Sequence, residues 1–177
     1  MTRTDPLLGF NFQVSLLDSA TTVGNLISTT LSVLGASPNA GFSECSGLDG
    51  TIDTEDYEEG GNNGYVHRFR KHIRWQNVVL KRGVVADDTL WDWFYSYAKG
   101  QGRRRNGLIT LLNEAGERQK TWGFREGLPV RLVGPSMNAM QSAVAIESLE
   151  IAHHGLYQLP GGDGIAGAAA SALNAIL

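Results

Sequence analysis

Residues 75–97, WQNVVLKRGVVADDTLWDWFYSY, constrain the fold of this chain more than any other stretch. Residues 75–80 read as a β-strand, with β-branched Val78 and Val79 at its centre. Gly83 can take φ > 0 and lets the chain reverse. Asp87 or Asp88 then caps a helix and places negative charge at its N-terminus. Leu90, Trp93, Phe94 and Tyr97 follow at i, i+3, i+4 and i+7, one helical face. A face that large and aromatic needs a sheet to cover, so the helix is expected as the lid of a mostly β domain.

The rest of the chain supplies that sheet. With 177 residues it suits one domain and can bury a proper core. Its 22 glycines fall mostly between short apolar runs, which favours a β-rich fold over a helical bundle. Residues 10–17 alternate, with Phe10, Phe12, Val14 and Leu16 on one side, as in a half-buried strand. Residues 41–50 and 51–57 read as two strands or one bent pair. EEGGNNG at 58–64 is a turn-rich tip. Residues 51–80 therefore suggest a long hairpin with an acidic and a basic arm. Gly100 and Gly102 stop the helix. Residues 107–112 and 118–124 flank a turn at 113–117, and 128–133 place Leu128, Val130 and Leu132 inward. The last strong strand is 143–152, whose apolar phase shifts as if bulged near Glu147. Residues 18–39 are an insertion or long loop, and 160–177 form a Gly/Ala-rich tail beyond a domain spanning 1–159. The fold class expected is mainly β: two packed antiparallel sheets forming a barrel or sandwich, with one flanking α-helix.

Charge position says more than the net charge of -3. Every charged residue from 44 to 59 is acidic: Glu44, Asp49, Asp53, Glu55, Asp56, Glu58 and Glu59. Every charged residue from 68 to 82 is basic: Arg68, Arg70, Lys71, Arg74, Lys81 and Arg82. Such blocks are either an ordinary solvated surface or two complementary surfaces that meet on neighbouring copies. Cys45 is alone, which excludes an intrachain disulfide and suits a buried, inert thiol. No signal-peptide apolar core is visible at the N-terminus, and no run reaches the roughly 18 apolar residues of a membrane span. Synthesis and assembly in the cytoplasm are expected.

Several phrases, in order, carry a resemblance: GFSECSGLDG (41–50), YEEGGNN (57–63), LKRGV (80–84) followed by LWDWF (90–94), RRNG (104–107), GP-x-x-NA (134–139) and AIESLEIAHHGL (145–156). The chain resembles the tail tube proteins of contractile phages and extracellular contractile injection systems and, more distantly, the tube protein of type VI secretion. The resemblance spans about 10–156. It implies hexameric rings stacked into a hollow tube inside a sheath, with baseplate, spike and tube-terminating partners. It implies DNA or protein cargo in the lumen, no cofactor, no catalytic site and no membrane insertion. A specialised tube-initiating or baseplate-proximal ring is the alternative role.

Within such a tube, Asp53, Glu55, Asp56, Glu58, Glu59, Asn62, Asn63, Arg68, Arg70, Lys71 and Arg74 are the candidates for ring stacking and subunit contact. The 58–64 tip is the chosen ring-to-ring element. Asp88 and Asp92 are candidates to face a sheath. Lumen candidates are Arg118, Gln119, Lys120 and Thr121, or Thr51, Asp53 and Glu55. The main rival is a metal-binding β-barrel enzyme built on Glu147, Glu150, His153 and His154, with His67 and His72 elsewhere. Adjacent histidines on a strand point to opposite faces, which weakens it. No nucleophile elbow and no phosphate loop is present. Nucleic-acid binding through Arg103 to Arg105 lacks interleaved aromatics.

Overall fold

The computed structural model describes residues 7–18, 41–61 and 64–159. The expected tail at 160–177, Asn62 and Asn63, and all of the 18–39 insertion except Asp18 lie outside these. Among the described residues the elements in order are β1 (Phe12–Asp18), β2 (Glu44–Ser46), β3 (Gly50–Tyr57), β4 (His67–Trp75), β5 (Val78–Gly83), α1 (Thr89–Ala98), β6 (Arg105–Leu112), β7 (Arg118–Val133), β8 (Ile146–Ala152) and β9 (Leu156–Leu159).

Seven strands form one antiparallel set: six lie on the path β1-β6-β7-β8-β5-β2, and β9 pairs with β7 off it; β3 and β4 form a separate pair. The path folds over at β7. Its first half pairs with β6 and β9, and its second half pairs with β8. Between the halves Glu126 takes a left-handed φ of 53°. Asn106 Oδ1 accepts the Glu126 N–H at 2.9 Å, and the Glu126 carbonyl accepts from Arg104 Nη1 at 2.8 Å. A strand that bends between layers lets two sheets share a core without closing into a barrel. The expected barrel or sandwich is thus a sandwich, and among the described residues β1, β2 and β9 each pair on one side.

The core draws on both layers. Val14, Ile109 and Phe124 meet Val78, Leu80, Leu149 and Ile151, and Leu90 and Trp93 of α1 close over them. The helix is as its periodicity predicts: Leu90 and Trp93 are buried, and Phe94 and Tyr97 are half-buried. Its N-cap residue is Asp88, which makes no side-chain cap bond; the Oδ1 of the preceding Asp87 accepts the Thr89 N–H at 3.2 Å instead. Its C-terminus is a Schellman turn. Gly100, at φ 70°, donates to Tyr97 O at 3.1 Å, and Gln101 donates to Ser96 O at 2.9 Å.

Several local expectations are corrected. Residues 75–80 are not one strand; β4 ends at Trp75 and β5 begins at Val78. The long hairpin therefore ends at Trp75. Gly83 is the last residue of β5 and has no positive φ. Gly102 does not terminate the helix. A Cβ there would lie 2.3 Å from the Tyr97 ring, so its role is close packing. Of residues 41–50, only Glu44–Ser46 and the first residue of β3 are strand. The segments 118–124 and 128–133 are one strand, and a register shift between Pro129 and Arg131 turns Val130 outward at 43% exposure. Phe10 precedes β1 and is exposed. The strand at 143–152 begins only at Ile146, and its pairing with β5 runs without a bulge. The inward residue there is Glu147, not Val144 or Ile146.

Candidate assembly interface

The β3–β4 ribbon carries most of the charged residues that the sequence singles out. It leaves the sandwich between β2 and β5 and is tied down at its base. There Gln76 N–H donates to Asp49 O at 3.1 Å, and Trp75 packs on His153 with ring centroids 6.4 Å apart. Gly50 lies opposite Trp75; a Cβ there would sit 2.7 Å from the indole, so only glycine admits that ring.

The acidic and basic arms neutralise each other inside one chain. Arg68 Nε donates to Asp56 at 2.8 Å, Lys71 pairs with Glu55 at 3.2 Å, and Asp53 takes both His72 at 2.9 Å and Arg74 at 2.5 Å. Glu59 faces His67 at 3.3 Å. The bond from Arg68 holds the Asp56 carboxyl below its ordinary value. Among the described residues Glu58 and Arg70 have no such ion pair, and Glu58 and Glu59 line an open hollow at the tip with Tyr65 and Val66.

A β-bulge organises the rest of the ribbon. Ile52 lies opposite Ile73, but Thr54 lies opposite Arg70, so β4 holds one extra residue at Lys71–His72. An extra residue shifts the side-chain alternation by one. Below the bulge one face carries Trp75, Ile52 and Ile73. Above it, the opposite face carries Phe69, Tyr57 and His67, with Tyr65 edge-on to His67 at 5.0 Å. Tyr57 and Phe69 approach at 6.3 Å and His67 stacks on Phe69 at 6.3 Å. Ile52, Ile73, Tyr57 and Phe69 are each more than half exposed. The ribbon thus bares two apolar clusters, one per face. The alternating charges masked this pattern in the sequence, and the one-residue shift has no sequence signature.

The remaining candidates are dispersed. Asp88 and Asp92 are exposed on the outer side of α1, beside Trp91 and Tyr95, whose rings lie 5.8 Å apart. Thr51, Asp53 and Glu55 share one ribbon face by register. Arg118 to Thr121 lie in the sandwich, where Thr121 is buried and shares a 3.1 Å hydrogen bond with Thr110. The histidine and glutamate set does not converge. Glu147 bonds Arg82, Glu150 accepts from Asn77 at 2.8 Å, and His154 lies 3.2 Å from Arg104. His153 accepts from Gly155 N–H at Nδ1 and therefore donates through Nε2 to Gln76 O at 3.0 Å, a neutral imidazole. Among the described residues no three such groups are placed to hold a metal ion. Cys45 packs against the core, and burial with neighbouring Glu44 pushes its thiol up to about 11. No described helix is long and apolar enough to cross a membrane.

One exposed apolar surface has no counterpart in the sequence reading. The β7–β8 loop, GPSMNAMQSAVA at 134–145, holds no charged residue. Met137 is 86% exposed and Val144 78%.

No curated protein matches the chain in sequence. Solved structures share its fold, among them the following three. A chain of the six-fold symmetrised anti-feeding prophage baseplate is 24% identical with a TM-score of 0.74, covering 89% of this chain and 98% of that one. A chain of the extended sheath-tube complex of PVC, an extracellular contractile injection system, is 24% identical with a TM-score of 0.70, covering 88% and 92%. A chain of the anti-feeding prophage tube-terminating cap is 22% identical with a TM-score of 0.72, covering 90% and 95%. Residues 8–157 match the family of the T4-like virus tail tube protein gp19, and the chain belongs to that family.

Proposed function

We propose that the protein is the repeating subunit of the inner tube of a contractile tail or extracellular injection system. It assembles in the cytoplasm into hexameric rings. The rings stack into a hollow tube that conducts DNA or protein cargo inside a sheath, between a baseplate with its spike and a terminating cap. Its role is structural, without catalysis or cofactor.

The observation that carries this reading is the ribbon. A two-stranded hairpin alone is marginal in water. This one stands off the sandwich with Ile52 and Ile73 bared on one face and Tyr57 and Phe69 on the other. Closed and stacked rings cover both faces and repeat each contact around the circumference, so individually weak contacts suffice. The outer side of α1, with Asp88, Asp92, Trp91 and Tyr95, is the surface offered to a sheath. The fold is as similar to a cap chain as to a chain of a sheath-tube complex, and this supports a specialised end ring as the second reading.

Negative-stain electron microscopy of the purified full chain over a wide concentration range tests the proposal. Rings with a central hole or hollow filaments of uniform width are expected. A monomer at every concentration overturns it, and single rings that never stack favour the end-ring reading.

A further inference from the structure

The layer made by β1, β6, the first half of β7 and β9 is buried on both sides. Its core side carries Val14, Leu16, Ile109 and Phe124. Alternation and register put Leu108, Thr110 and Leu112 of β6, Arg118 and Thr121 of β7, and Leu159 of β9 on the other side. The second side of an antiparallel sheet is commonly solvated. Here Leu108 and Leu112 are 4% and 7% exposed, although neither belongs to the core cluster, and the paired hydroxyls of Thr110 and Thr121 sit beside them at 8% and 6%. Arg118 Nη1 is buried as well, and among the described residues it has no acceptor. An unsatisfied buried donor is costly, more so on a charged group. This face therefore needs a covering segment that brings an acceptor to Arg118.

Strand β9 leads such a segment to it. It runs antiparallel to β7, with Leu156 opposite Phe124 and Leu159 opposite Thr121, so the chain leaves Leu159 heading toward Arg118. Over 118–120, β7 pairs with β6 and, among the described residues, with no strand on its other edge. Counted on at the same register, Gly162 comes opposite Arg118, and Asp163 follows it. Asp163 is the one charged residue of 160–177; the fourteen residues after it, GIAGAAASALNAIL, are uncharged and mostly aliphatic. Fourteen residues reach about 20 Å even at the short rise of a helix. Four paired strands are roughly 15 Å across.

We propose that residues 160–177 fold back over this face of their own subunit, with Asp163 supplying the carboxylate that Arg118 lacks and 164–177 covering Leu108 and Leu112. The order of chemistry is the same on both surfaces. The face presents a cation where the segment arrives and leucines next to it; the segment presents an anion first and aliphatic groups after. A charge-assisted bond out of water is strong enough to fix the point of entry. The glycine pair at 161–162 permits the change of direction there. The contact lies within one chain, so it is independent of the tube reading and forms before any ring does.

Hydrogen exchange on the full chain, at a dilution where sedimentation shows monomer, reads the cover. Amides of 164–177 are expected to exchange at least about tenfold more slowly than in a synthetic peptide of residues 160–177. Exchange at the peptide's rate overturns the proposal. So does protection that arises only in assembled material, because another copy then supplies the cover. Charge reversal reads the ion pair. Asp163→Arg and Arg118→Asp are each expected to lower the monomer melting temperature by about 4 °C or more and to speed exchange of 164–177, and the double reversal to recover most of both. An Asp163→Arg chain that melts and exchanges like the native one overturns the proposal, as does a double variant no better than Arg118→Asp alone. These readings are taken on monomer, so their failure leaves tube assembly, judged by electron microscopy, standing.

Discussion

Arg82 and Glu147 are the least hydrophobic residues of the interior and among its most buried, at 1% and 3% exposure. Arg82 Nε donates to Glu147 Oε1 at 2.5 Å, and Nη2 donates to the Asp87 carbonyl at 2.9 Å. The guanidinium thus ties β5 and β8 to the turn that leads into α1. Burying two charges is costly, and their mutual attraction offsets this only while both remain. Arg82→Met alone or Glu147→Leu alone should each destabilise the fold by about 3–5 kcal/mol, whereas the pair together should cost far less. Denaturant unfolding of the two single variants and the double variant checks this; additive losses would show that the residues act independently. The same pair explains why the phase of the last long strand was illegible. An apolar-in rule places Val144 and Ile146 inside, but the position in register with Arg82 is Glu147.

At the scale of elements, the helix and the ribbon differ in how they are held. The helix has an Asx turn before its start, a Schellman turn at its end and a buried face, and the spacing of its apolar residues announced that face. The ribbon depends on its base, where His153 lies beside Trp75 and 5.9 Å from Phe124. Burial, more than the opposing hydrogen bond to the Gln76 carbonyl, lowers the pKa of this imidazole from 6.5. The unfolded chain therefore takes up the proton first as pH falls. The contribution is complete above pH 6.5 and is lost as pH falls from there through the depressed folded value. Melting temperature should drop between about pH 7.5 and 5.5 more steeply in the native chain than in His153→Gln, which keeps a donor for the Gln76 carbonyl. Equal slopes would remove His153 from the pH response.

For the whole molecule, the question is how charges divide between folding and assembly. Asp53, Glu55, Asp56 and Glu59 already have basic partners on the same ribbon. Glu58 does not among the described residues, and it lines the tip hollow with Glu59. Charge reversal to lysine at Glu58 and Glu59 should therefore shorten or abolish stacked tubes while leaving the melting temperature of the monomer within about 1 °C, as surface substitutions usually do. Tubes of normal length by electron microscopy would exclude the tip from the ring-to-ring contact.

Local pattern was enough for the elements whose signals lie within a few residues. Leu90, Trp93, Phe94 and Tyr97 declared the helix by their spacing. Asn113 and Gly116 declared the β6–β7 turn, which closes with Gly116 N–H on Asn113 O at 3.0 Å. Complementary charge declared that β3 pairs with β4. The ordered phrases from residue 41 to 156 pointed to the tail tube family. Only the tertiary structure decided where β7 bends, which strand hosts the bulge, and that Arg82 and Glu147 lie inside. Each depends on a partner far along the chain: Glu126 on Asn106, His72 and Arg74 on Asp53, Glu147 on Arg82. A strand's residues show their own alternation. Which neighbour meets them, and at what register, is set by packing between segments, and that determined which apolar groups remain exposed for another copy to cover.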